Sequence, residues 1–334
     1  MFAPPPLPRT FAAVLRDVSS SKVAARASAL KDMLPYALEG RPHRAECGPL
    51  LRAALNDPDA SVRQNALVIL GEAKFIDALP DVLLLVEDDH PHVRQMALDA
   101  LGRLGDKRAL GRIERALSDA RPELRYQAIV AYVRLADPDA ARGALTQAFG
   151  DEDLNVRYIA IRIAEEHGFG NDAVIVELAH EVLSHDNPTL QLAAALLVAH
   201  TDRQEAKPIL LAVARRELRT SEREDEGEAL ECIGRFGWRE ATSVLEKRAW
   251  RPLIADPSAW HARVALAALG HPRAQKEFVA DLDSIRREVR DAAVVGIGRA
   301  RMKDARPLIE RLDPSSVDEA VRAEALSQLS EVGL

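Results

Sequence analysis

Side chains able to do chemistry are few in this sequence, and they do not converge. His180-Glu181 and the reversed pair Glu166-His167 are the adjacent His–Glu pairs, and Glu177 with His180 has the spacing of half a helical di-metal motif. A metal centre needs several such ligands on facing elements, and one pair cannot supply them. His90 and His92 flank Pro91 in what reads as a turn, where their rings are expected to face solvent. The two cysteines, Cys47 and Cys232, show no CxxC or Cys/His zinc spacing and read as buried small hydrophobes in a reducing compartment. There is no GxSxG elbow, no GxGxxG after a strand and no Walker A loop. The expectation is a protein with no catalytic residues, no metal and no cofactor.

The totals narrow the class further. In 334 residues, hydrophobic side chains make up 47% and aromatics only 4%, so the apolar content is aliphatic and suited to close helix packing. A charged fraction of 29% argues for a solvated surface and against disorder. A formal net charge of -7 argues against a chain built to neutralise phosphates, and so against nucleic acid as the partner. The opening MFAPPPLPRTF lacks the basic and apolar regions of a secretory signal, and no run approaches the length needed to span a bilayer. A cytoplasmic protein without membrane insertion is expected.

Stepping along the chain uncovers a repeat. DPDASVRQNALVILG begins at Asp57, DHPHVRQMALDALGRLG at Asp89, DARPELRYQAIVAYVRL at Asp119 and DEDLNVRYIAIRIAEEHG at Asp151, with a weaker copy at His185. The marker arginines Arg63, Arg94, Arg125 and Arg157 recur every 31 or 32 residues, and Arg290 and Arg322 resume the pattern. Each unit predicts an apolar helix such as 78–86, a turn rich in Asp, Asn, Pro and Ser, and a second helix entered near the Val-Arg pair. In that second helix Val62, Ala66, Ile69, Leu70 and Ala73 form one apolar stripe, matched by Val93, Ala97, Leu101 and Leu104 in the next unit. Gly71, Gly105 and Gly168 stand near the ends of second helices as C-caps. The predicted architecture is all-α, with roughly nine units, the first around 23–55, stacked because no helix pair buries its own stripe alone. Residues 1–18 read as a Pro-containing arm, with Pro4–Pro8 as its stiff part, 19–334 as the repeats, and 184–282 as an irregular stretch.

The pattern D-x-x-x-x-V-R-x-x-A-x-x-A-L followed by a Gly-containing turn resembles the bacterial short HEAT repeat, also called the PBS-lyase-type repeat. That resemblance implies a right-handed α-solenoid whose second helices line a concave face. It also implies an inter-repeat polar ladder of Asp57, Asp88, Asp119 and Asp151 with Arg63, Arg94, Arg125, Arg157, Arg290 and Arg322. The ladder is interrupted where His185, Ser284 and Ser316 stand in the aspartate slot. On the concave face the residues after each arginine, Gln64, Gln95, Tyr126 and Tyr158, would line up, with Arg134 and Arg162 one or two turns on. Tyrosine and arginine are enriched at binding hot spots, so these six are candidate partner-binding residues. Trp238, Trp250 and Trp260 form a second candidate group after the charged run RRELRTSEREDEGE at Arg215, with gap-filling in poorly matched repeats as the competing reading.

The function the resemblance implies is a scaffold or adaptor binding another protein. The rival is a nucleic-acid-binding HEAT-like protein similar to the alkylpurine DNA glycosylases, which would need a continuous basic row on the second helices. The mixed Gln, Tyr, Asp, Glu and Arg there do not make one. A tetrapyrrole lyase has no pigment site to recommend it, and a hydroxylase of the deoxyhypusine type would need repeated His-Glu pairs.

Overall fold

The computed structural model describes residues 9–251 and 256–330; all secondary structure among them is helical. The Pro4–Pro8 arm lies outside the described residues. The chain divides into two compact units, 1–169 and 170–334.

In the first unit the helices are α1 (Phe11–Val18), α2 (Val23–Lys31), α3 (Leu34–Ala37), α4 (Arg44–Ala54), α5 (Ala60–Glu72), α6 (Leu79–Leu84), α7 (Pro91–Leu104), α8 (Leu110–Ala116), α9 (Pro122–Leu135), α10 (Pro138–Phe149) and α11 (Leu154–Glu166). They pack as pairs α1/α2, α4/α5, α6/α7, α8/α9 and α10/α11. The second helices α2, α5, α7, α9 and α11 lie side by side in one layer. Their apolar stripes build the core: Val62, Ala66, Leu70, Val93, Ala97, Leu101 and Ala128 are all at most 1% exposed. Turn side chains start the helices, as where Asp59 accepts from Ser61 N and Asp153 from Asn155 N and Val156 N.

The second unit repeats the plan with α12 (Ala173–Val182), α13 (Pro188–Val198), α14 (Arg203–Ala214), α15 (Arg223–Arg235), α16 (Thr242–Ala249), α17 (Ala259–Ala268), α18 (Pro272–Asp281), α19 (Arg287–Arg299), α20 (Arg306–Arg311) and α21 (Glu319–Ser330). The pairs run α12/α13 through α20/α21, and α13, α15, α17, α19 and α21 form its layer of second helices. The stretch 184–282 therefore keeps the helix-pair plan even where the Val-Arg marker is missing.

Three expectations need correction. Residues 11–18, read as part of the arm, form α1, which Thr10 caps and which buries Phe11 and Val14 against α2; the first pair thus starts earlier than residue 23. The apolar stretch 78–86 is a short α-helix, 79–84, between two 3₁₀ turns, with Pro80 in its first turn, where a proline's missing N–H costs nothing. Gly71 lies inside α5 and is no cap. Its missing Cβ lets α7 approach, since a Cβ there would stand 3.0 Å from Ala100 Cα. Gly105 and Gly168 do adopt the left-handed conformation, at φ 76° and 82°.

Candidate partner-binding surface

The ladder holds the second helices in register. Arg63 donates through Nη1 to the carbonyl of Asp57 in its own turn, and through Nε and Nη2, at 2.9 and 2.8 Å, to the carboxylate of Asp88 in the next. Arg125 does the same, with Nη1 on the Asp119 carbonyl and a fork at 2.8 Å on Asp151. So the aspartate six residues before each arginine offers its backbone oxygen to that arginine, and the carboxylates of Asp88 and Asp151 belong to the arginine of the preceding repeat. Each carboxylate also accepts the N–H two residues on, as Asp151 does from Asp153. The Arg125 fork holds the Asp151 carboxyl below its usual range despite partial burial.

Two rungs differ from the expectation. Asp119 is taken by Arg121, at 2.8 and 2.9 Å, so Arg94 keeps the Asp88 and Asp89 carbonyls but its buried Nε has no hydrogen-bond partner among the described residues. Arg157 holds the Asp151 carbonyl. A further rung, Arg26 to Asp57 at 2.7 and 2.9 Å, carries the ladder back to α2. Near the C-terminus Arg290 finds the Ser316 carbonyl where an aspartate would stand, and Arg322 the Glu310 carbonyl.

On this frame Gln64, Gln95, Tyr126 and Tyr158 each follow the marker arginine of successive second helices, and all four are half-buried. Arg134, on the exposed side of α9, stands 3.6 Å from Asp99 of α7, which also accepts from Arg103 at 2.7 Å. Arg162 pairs with Glu165 one turn on. The cations of this surface thus have carboxylate partners, and the row is mixed in charge.

The structure does not join the three tryptophans. Trp238 is only 7% exposed and packs on Phe236 with Lys207 above it, so it fills the interior and offers no face to a partner. Trp250 donates to Glu277 at 2.9 Å and lies under Arg273, lining a cavity of about 550 Å³ with His271. Trp260 stands edge-on to His261 and Phe278.

Besides Arg26, further charged features that spacing missed lie in the second unit. Thr220 and Asp256 accept the N–H two residues on, as the ladder aspartates do. Counting six from Thr220 reaches Glu226, a carboxylate in the arginine slot. Arg248 of α16, 4% exposed, fills the gap by donating to Glu226, to Asp256 and to the Val213 carbonyl. Burial alone would raise the Asp256 carboxyl, but Arg248 pulls it below its usual range. Beside this, Glu231 of α15 accepts from His261 of α17 at 2.6 Å and from Arg299 of α19 at 3.0 Å. The residues with the strongest polar coupling are therefore braces between helices. Burial pushes the Cys47 thiol up to about 11, which keeps it protonated at neutral pH. Among the described residues no three His, Cys, Asp or Glu side chains gather as a metal site, and no helix is long and apolar enough to cross a membrane.

Residues 48–132 match the family model of HEAT repeats. No curated protein matches the sequence. Among solved structures, importin beta aligns with a TM-score of 0.50 at 15% identity, covering 93% of this chain and 49% of that one. The complex of phycocyanin lyase subunits from Nostoc sp. PCC7120 aligns at 0.40 and 17% identity, over 83% and 96% of the two chains. Human deoxyhypusine hydroxylase aligns at 0.34 and 18% identity, over 87% and 96%. At such identities the importin beta likeness speaks to the tandem helical fold alone. Together with the family match and the laddered helix pairs, it establishes a tandem helical-repeat protein whose residues 48–132 are HEAT repeats.

Proposed function

We propose that the chain is a non-catalytic scaffold that binds a partner protein through the second-helix face of its first unit. HEAT repeats mediate protein–protein interaction, which supports the class of function. The observation that carries the finer reading is the row of half-buried Gln64, Gln95, Tyr126 and Tyr158 on four packed helices, α5 tied to α7 and α9 to α11 by Arg–Asp forks. A preorganised row loses little entropy on docking, and tyrosine supplies a large contact area with one polar tip. The mixed charge around Arg134 and Arg162 suits a protein surface better than a phosphate backbone. The cytoplasm fits the buried, unbridged Cys47 and Cys232.

The test is capture from native lysate at two salt concentrations with nuclease present, repeated with Tyr126→Ala/Tyr158→Ala. A stoichiometric protein that the double variant loses by about 30-fold, or about 2 kcal/mol, at an unchanged melting temperature supports the reading. Enrichment that nuclease or salt removes would replace it with nucleic-acid binding, and unfolding of the double variant would make the tyrosines core.

A further inference from the structure

A second recessed surface of the first unit lies away from that row, between α4 and the turn that follows α5. It is a cavity of about 680 Å³, within the range of ligand pockets. Its floor is apolar: the Phe75 ring lies against α4 at Gly48, where a Cβ would stand 3.1 Å from it, and Ile76, 48% exposed, continues the floor to the rim. Its charged lining is four cations, Arg41, Arg44, Arg52 and Lys74, against one carboxylate, Asp77. In a chain of net charge -7 this is a local reversal of sign.

The four cations are not equivalent. Arg44 is part of the wall: its guanidinium stacks 4.2 Å from the Phe75 centroid and donates to the carbonyls of Ala37, Ala73 and Lys74. Arg52 is matched by Asp81 at 2.5 Å. Arg41 and Lys74 are exposed and have no carboxylate partner among the described residues. Lys74 is also held at φ 52°, in the left-handed conformation that Gly105 and Gly168 take at the ends of α7 and α11. A lysine there meets a steric penalty a glycine would avoid. Arg216 and Arg301 take the same conformation just after α14 and α19, so the turn sets the amine at the rim, and a glycine there would remove it without strain.

We propose that this cavity binds an acidic segment of a partner chain, with an aliphatic side chain on Phe75 and Ile76 and carboxylates on Arg41 and Lys74. The inference rests on the scaffold reading in taking a protein as the ligand, but uses a different surface. Charge complementarity chooses the acidic segment, and the apolar floor between separated cations chooses a peptide over a bare anion.

The experiment is fluorescence anisotropy on the full chain with a labelled short peptide of glutamates around a central leucine pair. Two further probes are the same peptide with Gly-Ser in place of the leucines and a labelled single-stranded oligonucleotide. Saturable binding of the first peptide is expected, weakened at least tenfold by losing the leucines and at least tenfold by Arg41→Glu/Lys74→Glu. Lys74→Gly separates use from folding: binding falls while the melting temperature holds or rises. No saturable binding, binding indifferent to these variants, or preference for the oligonucleotide would overturn the proposal. Because Tyr126→Ala/Tyr158→Ala leaves this cavity intact, peptide binding that survives that variant while partner capture fails isolates this site from the second-helix row.

Discussion

Replacing Arg125 by Met tests the ladder where it is best formed. Arg125 is 8% exposed, and the side chains of Arg125 and Asp151 are 9% and 12% exposed. Methionine keeps most of the aliphatic volume but removes the fork on Asp151 and the bonds to the Asp119 and Ala120 carbonyls. Asp151 would retain the N–H of Asp153 and little else. Breaking a buried pair from one side costs on the order of 3–5 kcal/mol. The rim position of Asp151 lets water recover part of this, so about 3 kcal/mol is expected. The assay is urea unfolding followed by far-UV circular dichroism, with hydrogen exchange locating the change in α9 and α11, because stacked repeats touch only their neighbours. Asp151→Asn and the double variant complete a cycle whose coupling should exceed about 1.5 kcal/mol. The pH dependence has a fixed sign. Arg125 depresses the folded pKa of Asp151, so its contribution is full above the ordinary carboxylate value near about 4 and fades as pH falls through the folded value. The wild-type advantage over Arg125→Met should therefore shrink in acid. An unchanged urea midpoint for Arg125→Met, or a double variant equal to the sum of the singles, would refute the ladder as a stabilising device.

Other outcomes follow from the packing. Val93→Asp puts an unpaired charge where no solvent reaches, and should cost on the order of 3 kcal/mol or more in a thermal melt; a normal melt would mean that the register of α7 is wrong. Gly234→Ala should destabilise by about 1–3 kcal/mol, because its Cβ would stand 2.6 Å from the backbone of Ala265 and force α15 from α17. The same substitution at Gly143, inside α10 with nothing within 4 Å of the added atom, should instead stabilise by about 1 kcal/mol. Opposite signs in calorimetry check that close helix approach, and not glycine as such, sets the effect. Glu231→Gln should weaken the tie to His261 and Arg299 and lower the melting temperature at neutral pH; an equal melt would remove the brace from the stability account.

The apolar stripe of the repeat was legible because burial acts on every unit alike: Val93, Leu101 and Ala128 stand where the periodicity puts them. The polar ladder was legible by residue type and only partly by partner. Spacing cannot show a competitor, and Arg121 takes Asp119 from Arg94 through a contact two residues long. Nor could the Val-Arg marker find Arg26, which makes the same fork on Asp57. The tryptophans illustrate a different limit: nearness along the chain does not fix surroundings, and Trp238 and Trp250, at the two ends of α16 and its leading 3₁₀ turn, stand one in the core and the other beside a cavity.

The second unit shows why a lost marker is not a lost function. At Glu226 the slot has changed sign, and two carboxylates, Glu226 and Asp256, face one seam where Arg216, 2.6 Å from Asp256, does not replace the missing second-helix arginine at Glu226. The arginine is supplied from the other layer, by Arg248 of the intervening first helix, which also reaches the Val213 carbonyl. The pairing is conserved in kind while its donor moves from second helix to first, so that first and second helices are tied together at this seam. In the first unit the arginines of the second helices bridge second-helix turns, while the first helices carry separate polar ties, Arg44 of α4 to the Ala73 and Lys74 carbonyls and Arg52 of α4 to Asp81 of α6. A seam braced across layers resists sliding of one helix of a pair on the other, whereas a seam braced within one layer resists only separation of neighbouring repeats. Reversing Glu226 and Arg248 together, as Glu226→Arg/Arg248→Glu, would set the new carboxylate against Asp256. The two singles should each destabilise, and the reversal should fail to rescue them. Rescue to wild-type stability would mean that Asp256 takes no part in the seam.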